Sequence, residues 1–208
     1  MPSWNIHLEA GHRLNQKLKF SGQNQKEFLL GCILPDINNG YINNVKTSKP
    51  HEDTHFAYDQ KSSLNFYAKY KTEIDNKIPI FIGYLFHLYT DGFFNYEFYR
   101  TIKHDPLGQN LTHDQKHKIK HHDFWIYDNK FNHQLNLSPK EIKELVLVAN
   151  QIDSVNITTE DLEDIEKIFK SGILKLKAKE PYLFYTEQKL DTILDDMIKS
   201  FTKDYLGE

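Results

Sequence analysis

The sequence predicts an all-α fold: one compact multi-helix domain, residues 1–208, packed around a buried central helix. Three observations carry that reading. Glycine and proline are sparse, 9 and 7 residues, so few turns interrupt long elements. Apolar residues recur at helical steps in successive segments, and the evidence for any sheet is weak. One long segment is apolar nearly all round, which marks a helix enclosed by others.

Taken in order, "WNIHLEAGHRLNQKLKF" places Ile6, Ala10, Leu14 and Leu18 at four-residue steps and reads as the first helix. "QKEFLLGCIL" reads as the second, which Pro35 is expected to stop, and "DINNGYINNVKTSKP" follows as a loop. In "THFAYDQKSSLNFYAKYKTE", Phe56, Leu64, Tyr67 and Ala68 fall near helical period. "IPIFIGYLFHLYTDGFFNYEFY" is the central helix. Helices over 138–206 complete the bundle: "SPKEIKELVLVANQI", "TTEDLEDIEKIFKSGIL" and "YTEQKLDTILDDMIKSFTKDYL". Their N-caps are Ser138, Thr158 or Thr159, and Thr186, with Glu141 and Asp161 or Glu163 placed to support the first two.

Composition narrows the function. A net charge of -3 and a pI near 6.4 leave no basic footprint for nucleic acid, and none is expected as a partner. The single cysteine, Cys32, lies in "FLLGCIL" and reads as a buried small hydrophobe in a reducing compartment. The N-terminal stretch lacks a signal-peptide core, and no run approaches the ~18 apolar residues of a membrane span. A cytoplasmic location is expected. Eleven histidines, most of them between His51 and His133, suggest a metal.

His87 and Asp91 sit four residues apart inside the central helix, so both side chains stack on one face. Burying them together is costly unless a metal, hydrogen bond or partner charge compensates. Asp36 is delivered at the end of an apolar helix, and His7 lies on the apolar side of the first helix beside Ile6 and Ala10. With His55, these residues bring imidazoles and carboxylates from separate segments, the way helical bundles build metal sites.

The motifs Trp4-Asn5-Ile6-His7, "FLLGCILPD", Thr54-His55-Phe56 and "GYLFHLYTD" occur in the order seen in the zinc-dependent phospholipase C family, which the first half of the chain resembles. The resemblance implies an all-helical fold of the phospholipase C / P1 nuclease type, with metal ligands mainly within residues 1–125. It implies metal roles for His7, Asp36, His55, His87 and Asp91, and nominates Asp36 as the carboxylate that orients or deprotonates the attacking water. It further implies one or two zinc ions or more, and a phosphate-ester substrate, with phospholipid the nominated class. There are two departures. Secreted members present a mature N-terminal tryptophan whose amine holds a zinc, whereas Trp4 follows Met1-Pro2-Ser3. The family's later His and His-x-x-x-Glu also have no clean counterpart. Instead "LTHDQKHKIKHHDFWIYDNKF" offers His113, His117, His121, His122 and Asp123 for a second site, His121 being the ligand named for it.

Residues 51–55, "HEDTH", fit the H-E-x-x-H of zinc proteases, which needs both histidines on one face of a helix. Pro50 and the preceding loop are expected to leave His51 outside the helix, which makes the match a coincidence overlapping Thr-His-Phe. An HD-type phosphohydrolase acting on a nucleotide is the second reading, built from His122-Asp123, His87, and Asp161 or Asp164. A non-catalytic helical metal-binding protein is the third. Structural zinc sites are often cysteine-rich, so an Asp/His donor set points to hydrolysis.

Overall fold

The computed structural model describes residues 3–39, 49–57, 61–171 and 180–207. The regular structure among them is helical: α1 Trp4–Leu18, α2 Gly22–Gly31, α3 Leu34–Asn38, α4 His51–His55, α5 Lys61–Lys69, α6 Lys71–Asp75, α7 Pro79–His104, α8 Pro106–Gln109, α9 His113–Asp128, α10 Pro139–Ala149, α11 Thr159–Ser171 and α12 Glu187–Phe201, ending in one π-helical turn, Thr202–Leu206. Buried apolar side chains from Trp4 to Phe201 form one contiguous cluster. The expected caps are present. Ser138 and Glu141 form a reciprocal box, Thr158 pairs with Asp161, and Thr186 accepts from Lys189 N. Of the expected loop, residues 40–48 lie outside the described residues, as do 58–60 and the 172–174 end of the predicted "SGIL" helix.

α7 is the central helix, and its first half is buried on every side. It crosses α2 backbone to backbone. A Cβ on Gly83 would lie 2.1 Å from Phe28 O and 2.9 Å from Gly31 Cα, so only glycine permits this approach. That crossing sets the carbonyl of Cys32, just past α2, against His87 of α7. α1 is clamped to α12 by Arg13, which reaches Asp195 at 2.9 Å and Asp191 at 3.1 Å. It is joined to α9 by Asp128, which accepts from Asn5 Nδ2 at 3.1 Å and from the Ser3 hydroxyl.

Two local expectations are corrected. Pro35 does not stop a helix but stands in the first turn of α3, where its missing N–H costs nothing, and so it starts the turn that carries Asp36. His51 lies inside α4 as its first residue, because Pro50 takes the N-cap position and leaves the following residues free to turn.

Candidate metal centre

Each donor is delivered by a different local device. His87 and Asp91 come from one face of α7, and Asp36 from the proline-initiated turn of α3. His55 closes α4, where Phe56 adopts a left-handed conformation (φ 60°) and stacks edge-on against Phe66, Tyr70 and Tyr84, pinning the helix end to the core. His7 comes from the buried face of α1, its ring stacked on His87 with centroids 4.0 Å apart. All five residues are buried. Two donor sets lie within 4.8 Å: His7, Asp36 and His87, and His55, His87 and Asp91.

The separations suit a small cation. His87 Nε2 is 3.3 Å from His55 Nε2 and 3.5 Å from Asp91 Oδ2. His55 Nε2 is 3.5 Å from both Asp36 Oδ1 and Asp91 Oδ2. Asp36 Oδ2 lies 4.0 Å from His87 Nε2, and Asp91 Oδ1 lies 3.3 Å from His7 Nε2. Donors 2.0–2.1 Å from a tetrahedral zinc stand ~3.3 Å apart, so the cluster is spaced close to what that ion requires. Neither ring nitrogen of His7 and neither oxygen of Asp91 has a hydrogen bond of proper geometry, although all are sequestered from water.

The outer hydrogen bonds fix which ring nitrogens face inward. His87 Nδ1 is 2.8 Å from the Cys32 carbonyl, which can only accept, so Nδ1 carries the proton and Nε2 presents a lone pair to the cluster. The Thr54 hydroxyl spends its one proton on His51 O at 3.2 Å, so at 2.9 Å it accepts from His55 Nδ1, and His55 Nε2 is turned inward as well. In the neutral state two lone pairs would then meet at 3.3 Å, which requires a proton or a metal ion between them. Electrostatics agree. Burial, reinforced by His7, pushes His87 down to about 3, so it is neutral. Burial also opposes charge on His55, but Asp36 and Asp91 outweigh it and raise it to about 9. Burial raises both carboxylates, yet the imidazoles packed around them more than offset this and hold Asp36 and Asp91 below the usual range. A proton on His55 thus occupies the place of a cation among two carboxylates.

One side of the cluster adjoins a cavity. His55 and Asp91 line a cavity of about 630 Å³ together with His51, Asn95, Tyr96 and Tyr99, and its far end carries Arg100, Lys103 and His104. Asp36 is not part of that wall. His51 stacks on His55 with centroids 3.8 Å apart, on the same face of α4, while Glu52 is exposed. α4 is a single turn, so the H-E-x-x-H match lacks the continuous helix a protease uses.

The structure brings His7, Asp36, His55, His87 and Asp91 together and leaves the α9 residues apart. His121 Nε2 meets His117 Nε2 at 3.1 Å with no third donor among the described residues, and His113 stacks on Tyr99. Asp123 is buried accepting the backbone N–H groups of Leu183, Phe184 and Tyr185, so its lone pairs serve the fold. His122 faces Pro181 O and Glu180. Asp161 caps α11 and Asp164 pairs with Lys167. His87 sits in the cluster, but the other residues of the HD-type reading are engaged elsewhere and do not join it. Sequence reasoning left Thr54 without a role of its own and passed over Asn95, though a signal existed for each: Thr54 precedes the candidate donor His55, and Asn95 continues the four-residue step His87, Asp91.

A family model described as zinc dependent phospholipase C matches residues 6–206. No curated protein and no solved structure matches the chain.

Proposed function

The chain belongs to the zinc-dependent phospholipase C family, and from that premise we propose that it is a zinc-dependent phosphoric ester hydrolase whose substrate is a phosphodiester of the phospholipid class. The observation that carries the reading is the pair of inward-facing His55 and His87 Nε2 lone pairs, set among Asp36 and Asp91, beside a cavity large enough for a headgroup. A purely structural ion would be enclosed on all sides, whereas two of these donors line an open cavity. Residues 1–208 act in this reading as one domain, in the cytoplasm.

His55, His87, Asp91 and Asp36 would hold the zinc, with His7, whose Nε2 is 3.3 Å from Asp91 Oδ1, contributing. Zinc, when bound, supplies Lewis acidity that polarises phosphoryl oxygens and lowers the pKa of water from about 15.7 towards about 7. Thr54 and the Cys32 carbonyl keep the two imidazoles in the ligating tautomer. Asp36 is assigned the orientation of the attacking water. Arg100 and Lys103 draw the anionic substrate towards the site, and Tyr96 and Tyr99 flank it.

The test is hydrolysis of a phosphatidylcholine analogue and of a chromogenic phosphodiester by chelated and zinc-restored protein, with Asp36→Asn alongside. Zinc-dependent cleavage that falls at least about 100-fold in Asp36→Asn is expected. Zinc-loaded protein inactive on both substrates, or fully active Asp36→Asn, would refute the proposal.

A further inference from the structure

Lys120 of α9 is buried (4 % exposed); burial lowers its pKa, and the charge of Asp91 partly offsets this. Its ammonium donates to Asn95 Oδ1 at 2.7 Å and lies 5.3 Å from the centroid of the Tyr99 ring. Asn95 stands one turn beyond Asp91 on α7 and lines the same cavity as Asp91 and His55.

Donor and acceptor chemistry then fixes what Asn95 offers. An ammonium has three donors and no acceptor, so the amide atom facing it must be the oxygen. The planar amide therefore turns its NH₂ edge away from Lys120, and Asn95 itself lines the cavity. The bond to Lys120 is the side chain's one hydrogen bond among the described residues, so both N–H groups remain available. A site prepared for a cation partner would show the opposite polarity, with the amide oxygen outward. One helical turn is about 5.4 Å, a distance that a phosphoryl group held beside Asp91 can bridge.

We propose that Asn95 is an oxyanion-binding residue, its Nδ2 donating to a non-bridging phosphoryl oxygen, and that Lys120 is the positioning residue that holds the amide in this orientation. The proposal rests on the phosphoester reading of the site and names a contact that discriminates a tetrahedral oxyanion from a neutral ester. Lys120 contributes in two ways. It bars the flipped amide, which would set Nδ2 against an ammonium, and it polarises the amide so that its N–H groups donate more strongly.

The full chain loaded with zinc is titrated calorimetrically with inorganic phosphate, while hydrolysis of a chromogenic phosphodiester is followed in parallel. Asn95→Asp keeps the shape and replaces the donor edge by an acceptor. It should weaken phosphate binding at least tenfold, with zinc content and circular dichroism unchanged. Lys120→Met should weaken phosphate several-fold. Adding it to Asn95→Ala should cost nothing further, because Lys120 acts through Asn95. Phosphate affinity unchanged in Asn95→Asp, or a full additional loss on adding Lys120→Met to Asn95→Ala, overturns the proposal. Should Lys120→Met fail to fold, the Asn95 variants decide on their own. Wild-type protein that binds phosphate through Asn95 yet cleaves no diester overturns the hydrolase reading and upholds this one. Cleavage that proceeds with unchanged KM and kcat in Asn95→Asp overturns this one alone.

Discussion

Zinc binding should expel about one proton, and that proton should come from His55. In the metal-free protein Asp36 and Asp91, working against burial, raise His55 to about 9, whereas His87 is already neutral and both carboxylates are already ionised. The ion must displace the proton from the same Nε2 lone pair that Thr54 turns inward. At pH 7 the protonated form exceeds the neutral one about 100-fold, so competition lowers apparent zinc affinity by about two orders of magnitude, or about 2.7 kcal/mol. Affinity should recover about tenfold per pH unit and level off near pH 9. Calorimetric titration with zinc in buffers of differing ionisation enthalpy, from pH 6.5 to 8.5, reads both the proton count and the slope. Affinity flat across this range with no proton released would show that His55 is not held charged by the two carboxylates, and the electrostatic account of the cluster would fail.

Thr54→Val keeps the side-chain shape but removes the acceptor for His55 Nδ1, and zinc affinity should fall about 10- to 100-fold by the same titration; unchanged affinity would refute the tautomer argument. Gly83→Ala should destabilise the fold by at least about 3 kcal/mol, because its Cβ would lie 2.1 Å from the Phe28 carbonyl, backbone that cannot move aside cheaply; thermal unfolding should drop by roughly 6 °C or more, and a neutral substitution would contradict the crossing of α2 and α7. For the metal-free protein the raised His55 contributes stability that is complete below its ordinary value of 6.5 and is lost as pH rises through about 9. The lowered Asp36 and Asp91 contribute stability present above 3.8 and lost as pH falls below it. The lowered His87 acts in the opposite sense, costing stability as pH falls from 6.5 towards about 3, so urea unfolding should show its maximum near pH 6.5 and a decline from there to pH 9, and zinc should abolish the alkaline decline; a metal-free profile still rising from pH 7 to 9 would contradict the sign.

The central helix and the residues it carries were legible in the sequence, since both follow from local spacing. An apolar segment needs neighbours on all sides, and two polar residues four apart within it must share a face and a partner. The N-caps of the last three helices were legible for the same reason, because a cap and the N–H it satisfies are two or three residues apart. Tertiary structure decided what each ionisable group does once buried. Asp123 and the α9 histidines had the same composition and spacing as ligands, yet Asp123 spends its oxygens on backbone N–H groups about sixty residues further on. Pro35 and His51 turned out to begin helical turns, because proline reads equally as a stop or a start until the packing of the following turn is known. Asn95 acquired a direction only through Lys120, twenty-five residues away. Periodicity is set by neighbours along the chain, and so it shows which face a side chain occupies. The partner it meets there depends on which helix packs across that face, and here the glycine-to-glycine contact of α2 and α7 brings the Cys32 carbonyl to His87 and so fixes the inward lone pair.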